Sequence, residues 1–202
     1  MKTMRKSWRK IGLLILGGVL LLLSGFLLLR SPLETAVKKP TLTVETPQKI
    51  HRAETETLTL DVTISDLGAA LYPAASVSIR FDSSRLEFLG VEEGNVFVRD
   101  ETVGQRLPEW SCSPVQCNKT GLINIMYLDL TGGKHAFDRA LLAEEDNILL
   151  RLSFRLRGSA RTGDVYDLTV EDAVFAASNE NESLAMTRDT LQVKNGRIIV
   201  GG

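Results

Sequence analysis

In TETLTLDVTISDL, residues 55–67, the apolar residues Leu58, Leu60, Val62 and Ile64 fall on every second position, and Thr or Asp fills the places between them. A side-chain period of two buries one face and wets the other only in an extended strand; a helix would spread these four residues over opposite sides of its axis. The same pattern returns along the chain. TLTVET (41–46) is a short alternating strand, and SVSIRF (76–81) turns Val77, Ile79 and Phe81 to one face. LEFLGV (86–91) follows an Asp-Ser-Ser turn, then NVFVRD (95–100) and GLINIMYLDL (121–130). NILLRLSFRLRG (148–158), VYDLTVEDAVFAAS (165–178) and TLQVKNGRIIV (190–200) complete a set of nine. Nine strands set apart by Gly, Pro, Asn and Asp predict an all-β fold of two packed antiparallel sheets, a β-sandwich, with a closed barrel as the alternative. Only HAFDRALLAEED (135–146) has helical spacing, and it is expected as a helical turn in a loop between two strands.

The first forty residues are built differently. IGLLILGGVLLLLSGFLLL, residues 11–29, runs for 19 residues without a charge, about the length that spans a bilayer core as a helix. Five Lys or Arg precede it, which holds that side in the cytoplasm and sends the remainder outward. The chain thus divides into a cytoplasmic basic segment (1–10), a single-pass transmembrane anchor (11–29), a polar linker RSPLETAVKKP (30–40) and a sandwich domain (41–202) outside the cell membrane. A cleaved signal peptide is the competing reading, against which stand the length of the run and the lack of a small-x-small site after it. Residues 1–40 carry a net charge of +7 and the rest of the chain −8. An acidic body excludes nucleic acid as a partner, because phosphate binding needs a basic patch.

Outside the cytoplasm, Cys112 and Cys117 in WSCSPVQCN are expected to close a small disulfide loop, with Pro114 helping the chain to turn. Metal binding by the pair lacks a second ligand pair and a nearby His. His51 and His135 stand alone, without HExxH or HxH spacing, and there is no nucleophile elbow, P-loop or dinucleotide fingerprint. The acidic clusters Glu92-Glu93, Glu144-Glu145-Asp146 and Glu171-Asp172 fall at turns and strand ends, where charge is solvated. AEEDN (143–147) offers oxygen ligands of the kind that Ca²⁺ takes, but not the alternating spacing of a dedicated loop, and no cofactor is expected.

A family resemblance is carried by the ordered set of strands. SVSIRFDSSRLEFLGVEEGNVF (76–97) resembles the segment of cohesin domains where a strand ends in an aromatic-Asp pair, followed by a turn, a Leu-Glu pair and a strand leading to a Gly. TETLTLDVTISDL resembles the second cohesin strand, and GLINIMYLDLTGG the central strand with its acidic, Gly-containing exit. The stretch from Asp167 to Gly202 is similar to the cohesin ending, and the likeness runs in order from about residue 41 to 202. It implies a nine-stranded jelly-roll sandwich within the wider group that includes carbohydrate-binding modules. It also implies a non-catalytic module that docks a dockerin-like partner, linked to polysaccharide degradation, on a flat face made by the third, fifth, sixth and eighth strands.

Carried over by position, the outward residues of the third strand are Ala74, Ser76, Ser78 and Arg80. Those of the sixth are Leu122, Asn124, Met126 and Leu128, with Asp129 at its exit. If Ile123, Ile125 and Tyr127 point inward, Leu122, Met126 and Leu128 form an exposed apolar set, the usual mark of an interaction site. The alternatives are that the helical loop covers them or that the register slips by one and turns Tyr127 outward. The chain departs from typical dockerin-binding cohesins in a small third-strand face, without their Asn and Asp pair, and in a longer connection between the fifth and sixth strands. Two other functions stand beside protein docking. A polysaccharide-binding module would need exposed Trp or Tyr, for which Trp110 is the loop candidate. A glycosidase-type enzyme would need two carboxylates converging in a cleft, which flat faces do not offer.

Overall fold

The computed structural model describes residues 39–47, 57–96, 98–100, 105–107, 110–178 and 184–201. The apolar run 11–29 and His51 lie outside the described residues, and no described helix is long and apolar enough to cross a membrane.

Eleven strands are described: β1 (Thr41–Val44), β2 (Thr57–Ile64), β3 (Ala74–Arg80), β4 (Leu86–Glu93), β5 (Val98–Asp100), β6 (Gln105–Leu107), β7 (Leu122–Leu128), β8 (Ile148–Leu156), β9 (Val165–Ala176), β10 (Gln192–Lys194) and β11 (Gly196–Ile199). Nine of them make a sandwich, a five-stranded sheet in the order β10-β1-β2-β8-β4 against a four-stranded sheet in the order β11-β9-β3-β7. The expected alternation holds where it was clearest. Leu60, Val62 and Ile64 of β2, and Val77 and Ile79 of β3, are buried in the core between the sheets.

Two expected strands come out differently. NVFVRD supplies β5, which pairs with β6 in a separate two-stranded hairpin and is not part of the sandwich. TLQVKNGRIIV is two strands rather than one. β10 runs parallel to β1 in one sheet, and β11 runs antiparallel to β9 in the other. The chain therefore crosses the sandwich at Asn195-Gly196. A Cβ on Gly196 would lie 2.8 Å from the Val44 carbonyl oxygen, so only glycine fits that close backbone approach. The Asn195 side chain receives the Val170 N–H at 3.0 Å, beside a bulge in β9.

Two groups of aromatic rings fill the interior. Phe81 and Phe88 pack on Phe154, with centroids 5.7 and 5.4 Å away. Toward the other end of β7, Phe137 touches Tyr127, Trp110 and Phe175 at 5.0–5.8 Å. These separations and tilts are those that ring quadrupoles favour. The stretch expected to be helical around residue 140 forms one 3-10 turn, Arg139–Leu141, capped by the Asp138 carboxylate.

A true helix occurs instead at Pro114–Thr120. Pro114, expected in a turn, takes the first helical position, where its fixed φ suits the helix and its missing N–H is no loss. Gly121 ends the helix with φ 68°, the left-handed conformation that glycine enters freely. The helix leans on β4, the edge strand of the five-stranded sheet. There Asn118 takes the Phe88 N–H at 2.9 Å and donates to the Phe88 carbonyl at 2.7 Å, as a neighbouring strand would.

Candidate functional site

β3 pairs with β7 on one side and β9 on the other, which aligns their outward residues in rungs. The first two rungs are Leu128, Ala74, Ala176 and then Met126, Ser76, Val174. The third is Asn124, Ser78 and Asp172, and the fourth sets Leu122 beside Arg80 and Thr169. Tyr127 is buried, so the register is the expected one, and Met126 and Leu128 are 59% and 61% exposed. The helical-turn segment does not cover them.

The two halves of this face differ. Small side chains at Ala74, Ser76 and Ala176, walled by Met126, Leu128 and Val174, leave a shallow, mostly apolar depression of about 200 Å³. Leu130 (85% exposed) and Leu71 (42% exposed) extend the apolar surface at its end, where the Ser178 N–H bonds the Leu71 carbonyl. The other half is polar and internally matched. Ser78 donates to Asn124 at 2.8 Å, and Arg80 makes a two-pronged bond to Glu171, with Nη2 3.0 Å from Oε2. Glu171 reaches Arg80 because it is the extra residue of the β9 bulge, which re-aims its side chain. The hydrogen bond from Arg80 holds the Glu171 carboxyl below the usual carboxylate range.

The structure thus brings together Ser76, Ser78, Arg80, Leu122, Asn124, Met126 and Leu128, with Ala74 beside them. Asp129 has another role. Its carboxylate folds back on its own loop and accepts the Thr131 and Gly133 N–H groups, each at 2.7 Å. Burial would raise its pKa, but hydrogen bonds from Thr131, Gly133 and His135 outweigh that and hold it below the usual range. Val174 and Ala176 were not anticipated. Tyr166, Leu168 and Val170 set the inward phase of β9, and the bulge at Glu171 shifts it, so that Ala173 and Phe175 turn inward instead. NVFVRD, the fifth strand expected on this face, instead pairs with β6, and among the described residues the free side of β7 carries one bridge, in which Ser111 exchanges backbone bonds of 2.9 and 3.1 Å with Met126.

The other candidates are placed as follows. Cys112 and Cys117 are free thiols, so the expected disulfide loop is not formed in this structure. The chain between them is the start of a helix rather than a turn, with Cys117 buried and Cys112 half-buried. Burial, then the nearby Cys117, pushes the Cys112 thiol up. His135 is buried, with Nδ1 3.0 Å from the Thr131 hydroxyl. Glu144, Glu145 and Asp146 lie exposed in a turn that Asn147 closes by bonding both the N–H and the carbonyl of Ala143. Among the described residues no group of three or more His, Cys, Asp or Glu is placed to hold a metal ion. Trp110, the candidate sugar platform, is buried, with its indole N–H 3.2 Å from the Leu149 carbonyl. Every other Trp and Tyr among the described residues is buried too.

No family model and no curated protein matches this sequence. Solved structures do match in fold. The third ScaC cohesin of Acetivibrio cellulolyticus, in complex with the ScaB dockerin, aligns with a TM-score of 0.58 and 14% identity over 81% of this chain and 99% of that one. The OlpA cohesin in a type I cohesin–dockerin complex from Clostridium thermocellum gives 0.59 and 14% over the same shares. The seventh ScaB type I cohesin of Pseudobacteroides cellulosolvens gives 0.55 and 15% over 81% and 93%. The fold is cohesin-like.

Proposed function

We propose that this chain is a non-catalytic docking module, held at the cell membrane by residues 11–29, that binds a dockerin-like protein through the outer face of its four-stranded sheet. The carrying observation is the apolar half of that face. Met126 and Leu128 stand exposed around a depression whose small floor would admit a partner's apolar side chains. Interface energy concentrates where such side chains are desolvated in a central pocket, with a polar rim that adds orientation more than affinity. The Ser78–Asn124 and Arg80–Glu171 rungs supply such a rim on one side. Similarity in fold to cohesins solved in complex with dockerins supports the partner class. A third strand that carries Ala74, Ser76 and Ser78 outward, without the usual Asn and Asp pair, favours a partner that presents apolar rather than hydrogen-bonding residues to β3. Sugar binding gains no support, since no Trp or Tyr among the described residues is exposed for stacking.

The test is capture of secreted proteins of the source cells by the full chain in detergent micelles, with and without Ca²⁺. A captured protein carrying a dockerin module, lost with Met126→Asp, supports the reading. Retention on insoluble polysaccharide without a protein partner overturns it. Resistance of the full chain to alkaline carbonate extraction from membranes checks the anchor separately.

A further inference from the structure

Cys112 and Cys117 take no part in the outer face, yet their helix sets them side by side. Ser113 is the N-cap of Pro114–Thr120, so Cys112 is the residue before the cap and Cys117 the fourth of the helix. Helical geometry brings the side chains of those two positions together, the contact that two apolar residues make as a hydrophobic staple. That closeness agrees with the Cys112 thiol, which burial pushes up and the neighbouring Cys117 pushes up further.

The neighbours of the pair are both clamps. Asn118, next to Cys117, holds the N–H and carbonyl of Phe88 on β4, an edge of the five-stranded sheet. Ser111, next to Cys112, holds the N–H and carbonyl of Met126 on β7, an edge of the four-stranded sheet. The six residues from 112 to 117 are therefore the tie between two sheet edges on one side of the sandwich.

We propose that Cys112 and Cys117 form a redox-reversible staple, which when oxidised locks the helix start and fixes both clamps across the sheet edges. The chemistry is thiol–disulfide exchange with a disulfide oxidant such as oxidised glutathione. The thiolate of the more accessible Cys112 attacks one sulfur of the oxidant, forming a mixed disulfide and releasing one glutathione thiolate. The Cys117 thiolate then attacks the Cys112 sulfur and expels the second. One S–S bond is broken and one formed, the two cysteines are oxidised, the oxidant is reduced to two thiols, and the two cysteine protons pass to the released thiolates.

The experiment titrates the full chain in detergent micelles across reduced and oxidised glutathione. Alkylation with mass analysis counts free thiols, and amide exchange is followed at Phe88 and Met126. In oxidising buffer the monomer is expected to lose two hydrogens, with exchange at both amides about tenfold slower than in reducing buffer. Cys112→Ser should abolish both changes while matching the wild-type exchange rates in reducing buffer. Thiols that stay reduced, bridges that form only between molecules, or a bridge that leaves both amides exchanging as before would each overturn the proposal. The wild-type comparison needs no variant, so a folding defect in Cys112→Ser does not obscure it.

Discussion

The two outer faces of the sandwich are made by strands of similar length and finished in opposite ways. On the five-stranded sheet, Thr57, Thr59 and Asp61 of β2 stand opposite Arg155, Ser153 and Arg151 of β8, while Glu87 and Glu92 of β4 stand opposite the same two arginines. Arg151 bonds Asp61 at 3.0 Å and Arg155 bonds Glu87 at 2.8 Å. That surface is complete in water. The four-stranded sheet begins in the same manner, with Arg80 on Glu171 and Ser78 on Asn124, and then stops. Its last two rungs offer water only methyl, methylene and thioether groups and one Ser hydroxyl. One sandwich carrying both finishes shows that the apolar half is not a consequence of the fold. It is a local property of about six side chains, and substitutions can separate it from stability.

The largest effect is expected at Met126. Met126→Asp puts a charge where a partner's apolar side chain must be desolvated, and should weaken partner binding at least about 30-fold. Because the side chain is 59% exposed, the melting temperature should move by no more than about 2 °C. Calorimetric titration and a thermal melt of the same sample measure the two together. A variant that unfolds would place Met126 in the core and erase the contrast between the faces.

On the charged face the order of effects should reverse. Asp61→Ala leaves the partly buried Arg151 without its carboxylate, at a cost of about 1 kcal/mol read from urea unfolding, while partner affinity stays at the wild-type value. Affinity that fell with stability would mean that the partner reads the whole sandwich, not one face.

Much of this contrast is legible in the sequence, and the limits have physical causes. Where a strand alternates without interruption, as in β3 and β7, parity alone places Ser76 and Met126 outside and Val77 and Ile125 inside. Parity fails at a bulge, since one added residue inverts every position after it, and so Val174 and Ala176 went unseen. It fails too where one apolar run serves two sheets. Nothing local in TLQVKNGRIIV says that the chain crosses at Gly196, because the reason lies in Val44, far away in sequence. The helix at 114–120 was masked by Pro114, which marks a turn or a helix start equally well. Asp129 was misplaced because its partners are backbone N–H groups, which carry no sequence signature.

A smaller effect tests the polar half of the partner face. The hydrogen bond from Arg80 depresses the Glu171 pKa in the folded state, so its contribution is complete above the ordinary carboxylate pKa of about 4.5 and is lost as pH falls through the lower, folded value. Acid unfolding below about pH 4.5 should accordingly be less steep in Glu171→Gln than in wild type. Identical acid profiles would mean that the ion pair contributes nothing in solution, leaving the matched half no better secured than the bare one.

The smallest effect expected is at Arg155, and its smallness is the point. Arg155 pairs with Glu87 in good geometry, but both side chains reach solvent, at 44% and 33% exposure. The Coulomb gain there is screened and offset by the entropy of holding two long side chains, so Arg155→Ala should change stability by no more than about 0.5 kcal/mol. Partner affinity should not move at all. The variant therefore removes a charge from the matched face at almost no cost, which makes it the control against which Met126→Asp is read. If Arg155→Ala slows association and the loss disappears at high salt, the charged face steers the partner, and the two faces work together. If it changes nothing, binding belongs to the apolar rungs alone.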